Sequence, residues 1–144
     1  MIVDLNHTGL VVKNLDEAVS FYRDAIGLSL ARNVERKGLS ISKVLGYTDT
    51  HIKAALMDLG NNCMLELIEY LSPRPDPRPS NERAVLGASH IAFNVVDIDS
   101  TYHRLLGCGA VGLNPPSEVA PGRHVCYMQD PSGNWIELIE DKDS

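Results

Sequence analysis

The chain has 144 residues, with 13 Lys+Arg against 19 Asp+Glu and a formal net charge of −6. A hydrophobic share of 44% with 22% charged residues excludes a disordered chain. No run approaches the ~20 apolar residues of a membrane span, and no basic block exists to bind nucleic acid.

The opening MIVDLNHTG lacks the basic and apolar regions of a secretory signal. Cys63, Cys108 and Cys126 are odd in number, widely spaced and without a CxxC pair. A disulfide framework or cysteine zinc cluster is therefore not expected, and the three are predicted to be buried small apolar residues. This cysteine usage predicts a cytoplasmic protein.

The first predicted element is a short strand, Leu5-Asn6-His7-Thr8-Gly9-Leu10-Val11-Val12. Asn14 then caps a helix, because its side chain can accept orphan backbone N–H groups. Leu15, Ala18, Val19, Tyr22 and Ile26 fall at helical spacing, and Gly27 suits the exit. Strands follow over Leu28–Val34, His51–Leu59 and Cys63–Glu69, the last two joined by the turn Asp58-Leu59-Gly60-Asn61-Asn62. The segment 71–79 carries Pro73, Pro75, Pro77 and Pro79 at alternate positions, which favours extended backbone and a spacer.

The same order then recurs. A strand is predicted over Ala88–Val95, with His90 third as His7 is third in the first copy. Asp97 caps a helix with Ile98, Tyr102, Leu105 and Leu106 at helical spacing and Gly107 at its exit. A weak strand covers Ala110–Leu113. Strands His124–Gln129 and Trp135–Glu140 flank the hairpin turn Asp130-Pro131-Ser132-Gly133-Asn134. The expected organisation is one α+β domain of two tandem βαβββ modules, about 1–71 and 87–141, with a Pro-rich spacer at 72–86.

His7 and His90 occupy equivalent positions, as do Glu66 in MLELIE and Glu137 in WIELIE. Alternation puts Met64, Glu66 and Ile68 on one strand face and Leu65 and Leu67 on the other. Trp135, Glu137 and Ile139 repeat that face, with Ile136 and Leu138 behind. If helices cover the second set, the carboxylates line a concave surface. Unpaired carboxylates there are costly, and a divalent cation removes the cost. Imidazole and carboxylate together suit Zn, Ni, Co, Fe or Mn, and four such donors leave positions open for substrate. The alternative is that each Glu pairs with an Arg. The ordinary reading of Tyr22 and Tyr102 is core packing, of His103 exposure, and of Glu69 and Glu140 surface residues.

The duplicated halves, LNHTGLVVKNLDEAVSFYRDAIGL at the start and YMQDPSGNWIELIE at the end, resemble the vicinal oxygen chelate superfamily of glyoxalase I, methylmalonyl-CoA epimerase, extradiol dioxygenases and the fosfomycin and bleomycin resistance proteins. The resemblance implies a curved, barrel-like mixed sheet around a metal cleft, helices outside, and a homodimer. It implies one divalent metal ion, Zn, Ni, Co or Mn, on His7, Glu66, His90 and Glu137. The Val44-Leu45-Gly46-Tyr47 and His51-Ile52-Lys53 stretch is similar to small epimerases, among them those of cyclitol ketones such as 2-epi-5-epi-valiolone.

The implied activity is that of an epimerase, isomerase or lyase, working by proton abstraction beside a carbonyl on a small molecule with vicinal oxygens. Glu137 is the first candidate base and Glu66 its counterpart, with His124 a further acid or base. Alternation cannot place both His124 and Tyr127 on the Glu137 face. Arg123 is a weaker candidate for holding an anionic group. Two alternatives stay open: an Fe(II) extradiol dioxygenase using His7, His90 and Glu137, and a non-catalytic small-molecule-binding protein.

Overall fold

The computed structural model describes residues 1–142. The chain divides into two compact units, Met1–Pro77 and the stretch from Arg78 onward, so the division falls within the Pro-rich segment. Among the described residues no helix is long and apolar enough to cross a membrane.

The first unit runs β1 (Thr8–Val11), α1 (Leu15–Ser20), β2 (Ser29–Lys37), α2 (Leu39–Leu45), β3 (His51–Gly60) and β4 (Cys63–Ser72). Its sheet order is β1-β4-β3-β2, with β1 parallel to β4 and the other pairs antiparallel. Asn14 Oδ1 accepts from Glu17 N at 2.9 Å and starts α1. The helix continues through Phe21–Ile26 with a wider π winding and stops at Gly27, whose φ of +99° is left-handed. Leu15, Ala18, Val19 and Tyr22 from this helix are buried with Met57 of β3 and Leu65 and Leu67 of β4. Each such large side chain stabilises the fold by roughly 1.5–3 kcal/mol.

The second unit runs β5 (Ile91–Asn94), α3 (Ile98–Gly107), β6 (Val111–Gly112), β7 (Ser117–Ala120), β8 (Arg123–Gln129) and β9 (Trp135–Asp141). Its order is β5-β9-β8-β6, with β7 also pairing β8 and β5 parallel to β9. Asp97 Oδ1 accepts from Ser100 N at 3.0 Å and starts α3. Ile98, Tyr102 and Leu105 are buried with Met128, Ile136 and Leu138. The β8–β9 turn is organised by Asp130, 3% exposed, whose Oδ1 accepts from Ser132 N at 2.9 Å and Asn134 N at 2.8 Å.

The α+β class and the repeated strand, helix and strands are as the sequence predicts, and among the described residues the strands form two open sheets with no closed barrel. Two elements are additional. Helix α2 exposes Leu39 and Val44 and half-buries Ile41 and Leu45, so its apolar residues face both ways and give no clean stripe to betray it. Strand β7 is exposed throughout and lacks an alternating pattern. Tyr22 and Tyr102 are core residues and His103 is exposed, as expected. Cys126 is buried, but Cys63 and Cys108 are exposed: Cys63 opens β4 at the hairpin, and Cys108 caps α3.

Two acidic residues also differ from the surface reading. Glu69 Oε2 accepts from Leu15 N at 2.9 Å, so it satisfies an orphan N–H at the start of α1. Glu140 is 7% exposed.

Candidate functional site

In the first unit, β1 starts only at the Thr8–Leu65 register pair, so His7 stands immediately before the strand. Gly9 lies opposite Glu66 on β4. His7, two residues from Gly9, takes the same strand face as Glu66. His7 Nε2 is 3.2 Å from Glu66 Oε2, and His7 Nδ1 is 2.7 Å from Asn6 Oδ1. An imidazole fixed through one ring nitrogen presents the other in a set direction.

The second unit repeats this construction. His90 stands immediately before β5, and Ala92 lies opposite Glu137 on β9. His90 Nε2 is 3.1 Å from Glu137 Oε2. Both histidines are solvent-accessible and both carboxylates partly buried. Among the described residues neither Glu66 nor Glu137 is paired with Lys or Arg, so the carboxylate partners are histidines and not the arginines of the alternative reading. Among the described residues no group of three or more His, Cys, Asp and Glu side chains forms; the donors come as one pair per unit.

The second unit adds a phenol. Tyr127 on β8 lies directly opposite Glu137, and its hydroxyl is 3.4 Å from His90 Nε2, with the two rings edge to face at 5.2 Å. Burial, followed by the Glu137 charge and hydrogen bonding to Glu137, pushes the Tyr127 hydroxyl above its ordinary range. The first unit has Leu56 opposite Glu66.

His124 is not brought to this pair. It lies opposite Glu140, three residues from Tyr127 and hence on the other face of β8. Its Nδ1 is buried without a hydrogen-bond partner. His51 is likewise engaged elsewhere, at 2.6 Å from Glu35 Oε1. Arg123 is tied to Asp141 at 2.7 Å. The residue that sequence alternation could only offer as one of two choices is thus Tyr127. Tyr70, four residues after Glu66 on β4, contacts Tyr47 edge to face at 6.2 Å.

Comparison with known proteins agrees with this architecture. The sequence profile of the Glyoxalase/Bleomycin resistance protein/Dioxygenase superfamily matches residues 4–138. The chain is 30% identical over 138 residues to a probable lactoylglutathione lyase of Vibrio cholerae, covering 94% of this chain and 89% of that protein. It is 32% identical over 149 residues to a 2-epi-5-epi-valiolone epimerase of Actinomyces sp, covering 95% and 79% respectively. A crystal structure of a glyoxalase family protein from Bacillus cereus superposes with a TM-score of 0.83 at 26% identity, covering 98% of this chain and 95% of that one. With two βα-plus-strands units, each joining its first strand to its last in parallel, the chain belongs to the Glyoxalase/Bleomycin resistance protein/Dioxygenase superfamily, the vicinal oxygen chelate proteins.

Proposed function

We propose that the chain is a divalent-metal-dependent epimerase, isomerase or lyase that removes a proton from carbon next to a carbonyl. The observation carrying this reading is the His–Glu pair made twice, at 3.2 Å and 3.1 Å, by equivalent positions of the repeat. Relatives named as a lyase and an epimerase support the same reaction class.

The donor set fits a cation. Each pair sets an imidazole nitrogen beside a carboxylate oxygen, a donor combination that suits a divalent transition metal. His7 with Glu66, and His90 with Glu137, are the candidate ligands of a Zn, Ni, Co or Mn ion. When bound, the ion supplies Lewis-acid stabilisation of the negative charge that develops on vicinal substrate oxygens.

The chain's own groups handle the proton. Glu137 is the base; its partly buried carboxylate has His90 Nε2 at 3.1 Å and interacts with the neighbouring Tyr127 hydroxyl. Glu66 is the counterpart that returns a proton in an epimerisation. Tyr127 is a positioning residue that holds its own proton and keeps the Glu137 carboxylate oriented. The substrate is a small molecule with vicinal oxygens, and two copies of the chain form the working dimer.

The test is the metal content of purified, dialysed protein beside a Glu66→Ala variant, by elemental mass spectrometry. About one Ni, Co, Zn or Mn per chain, lost in the variant, is expected. Solvent-deuterium exchange into ketone and thioester substrates then follows the proton. Iron that survives the Glu66 change would instead favour ring-cleaving dioxygenase chemistry. No metal in either sample after reconstitution would sink the proposal and leave a binding protein.

A further inference from the structure

We infer that Arg83, seated on Trp135, is an anion-binding residue on the Glu137 face of the second unit, and that the substrate carries a carboxylate or phosphate there. The substrate assignment rests on the proposed reading of the Glu137 face as the reacting face; the anion site itself does not.

Trp135 and Glu137 are two residues apart on β9 and share a strand face. Gln129 and Tyr127 of β8 lie directly opposite them. The Arg83 guanidinium rests over the Trp135 ring, with its carbon 4.7 Å from the ring centroid. The segment carrying Arg83 is pinned to the β8–β9 hairpin at two further points. Arg78 Nη1 donates to Gly133 O at 3.1 Å, and Gln129 Nε2 donates to Asn81 Oδ1 at 3.4 Å. Arg83 is therefore held in place although its residue is exposed.

Its charge is uncommitted. Arg23 and Arg123 each hold a carboxylate at 2.7 Å. Among the described residues Arg83 has no such partner. A guanidinium stacked on an indole keeps its in-plane N–H fork open for two oxygens of one oxyanion. The indole N–H of the ring that Arg83 covers is itself buried without a hydrogen-bond partner. A chain of net charge −6 repels anions in general, so an anionic substrate needs such a local cation. The field of Arg83 reaches the reacting groups as well. The Tyr127 hydroxyl is pushed up first by burial and then by Glu137, and Arg83 is the group that pulls it back.

Trp135 is the single tryptophan, so its emission reads the site with neither metal nor turnover. Metal-free protein is titrated with sodium phosphate and with sodium acetate, chloride holding the ionic strength fixed. A saturable emission change is expected. In Arg83→Gln its midpoint should rise about tenfold or more, the loss of a charge-assisted contact. Arg83→Lys keeps the charge, loses the fork and should fall between, and it keeps the comparison readable if the Gln variant melts lower. A response to phosphate alone assigns a phosphoryl group; a response to acetate as well assigns a carboxylate. Superimposable curves for Arg83→Gln and the native chain, or no saturable response to either anion, would overturn the inference. Because the titration uses no metal, that failure leaves the metal-dependent reading standing, and failure to bind metal leaves the anion site standing.

Discussion

Tyr127 and Glu137 stand directly opposite each other on antiparallel strands, whereas the equivalent place in the other unit sets Leu56 against Glu66. The repeat is thus symmetric in its His–Glu pairs and asymmetric in what surrounds them. Replacing Tyr127 by Phe should slow solvent-deuterium exchange about tenfold, by loosening the orientation of the Glu137 carboxylate, with metal stoichiometry unchanged. The sign of its pH effect follows from its environment. Burial and the Glu137 charge raise the phenol above its ordinary 10.0, so it keeps its proton across the neutral range. Ionisation of the phenol beside Glu137 should lower the native rate on the alkaline side, and that alkaline limb should vanish in the Phe variant. A variant with the native rate and the native profile would remove Tyr127 from the mechanism.

Gly112 on β6 faces the buried Tyr102 ring of α3, and a methyl group there would overlap the phenol hydroxyl and ring carbons. Gly112→Ala should destabilise the protein by about 1–3 kcal/mol, the usual cost of overpacking. Thermal unfolding measures it. A melting temperature within a degree of native would show that Tyr102 can move aside.

The thiols should separate by reactivity. Cys63 and Cys108 are exposed, and burial is the main cause pushing the Cys126 thiol up to about 11. In native protein at pH 8, iodoacetamide should modify Cys63 and Cys108 and spare Cys126, as peptide mass mapping would reveal. The linkage sign is that of a raised group. The neutral thiol's contribution is intact below its unfolded value, near 9.0, and is lost as pH climbs toward 11. Rapid labelling of Cys126 at pH 8 would contradict its burial.

Two side chains meet the start of α1 from different distances in sequence. Asn14 serves Glu17 N from the adjacent turn, and Glu69 serves Leu15 N from β4. Asn14→Ala should cost about 1 kcal/mol. Glu69→Ala should cost a comparable amount, because it strands a partly buried N–H. Denaturant titration of the two single variants and the double variant tests both. Neutral substitutions would mean that water replaces these caps.

Much of this was legible in the sequence, for local reasons. Asn14 and Asp97 announce their helices because a cap is read from its own neighbours, and the His–Glu positions emerge from the repeat. What escaped is non-local or patternless. Glu69 looks like a surface residue until β4 is known to lie near the start of α1. Helix α2 enters at Gly38 without a side-chain cap, and its apolar residues face both ways, so no clean stripe marks it. Alternation limited the choice to His124 or Tyr127, but only the β8–β9 register shows which one faces Glu137. Cys63 and Cys108 defied their residue type because each sits at the end of an element.

Both histidines sit at the mouths of four-residue edge strands, β1 and β5, each pairing in parallel with a strand far along the chain. Short edges open first in local fluctuations, while the hairpins β3–β4 and β8–β9 persist. Amide exchange should accordingly be fast at Thr8–Val11 and Ile91–Asn94 in the metal-free chain. A cation gripping histidine and glutamate would staple each frayed edge to its neighbour, so loading the site would slow exchange there well before it raised global stability.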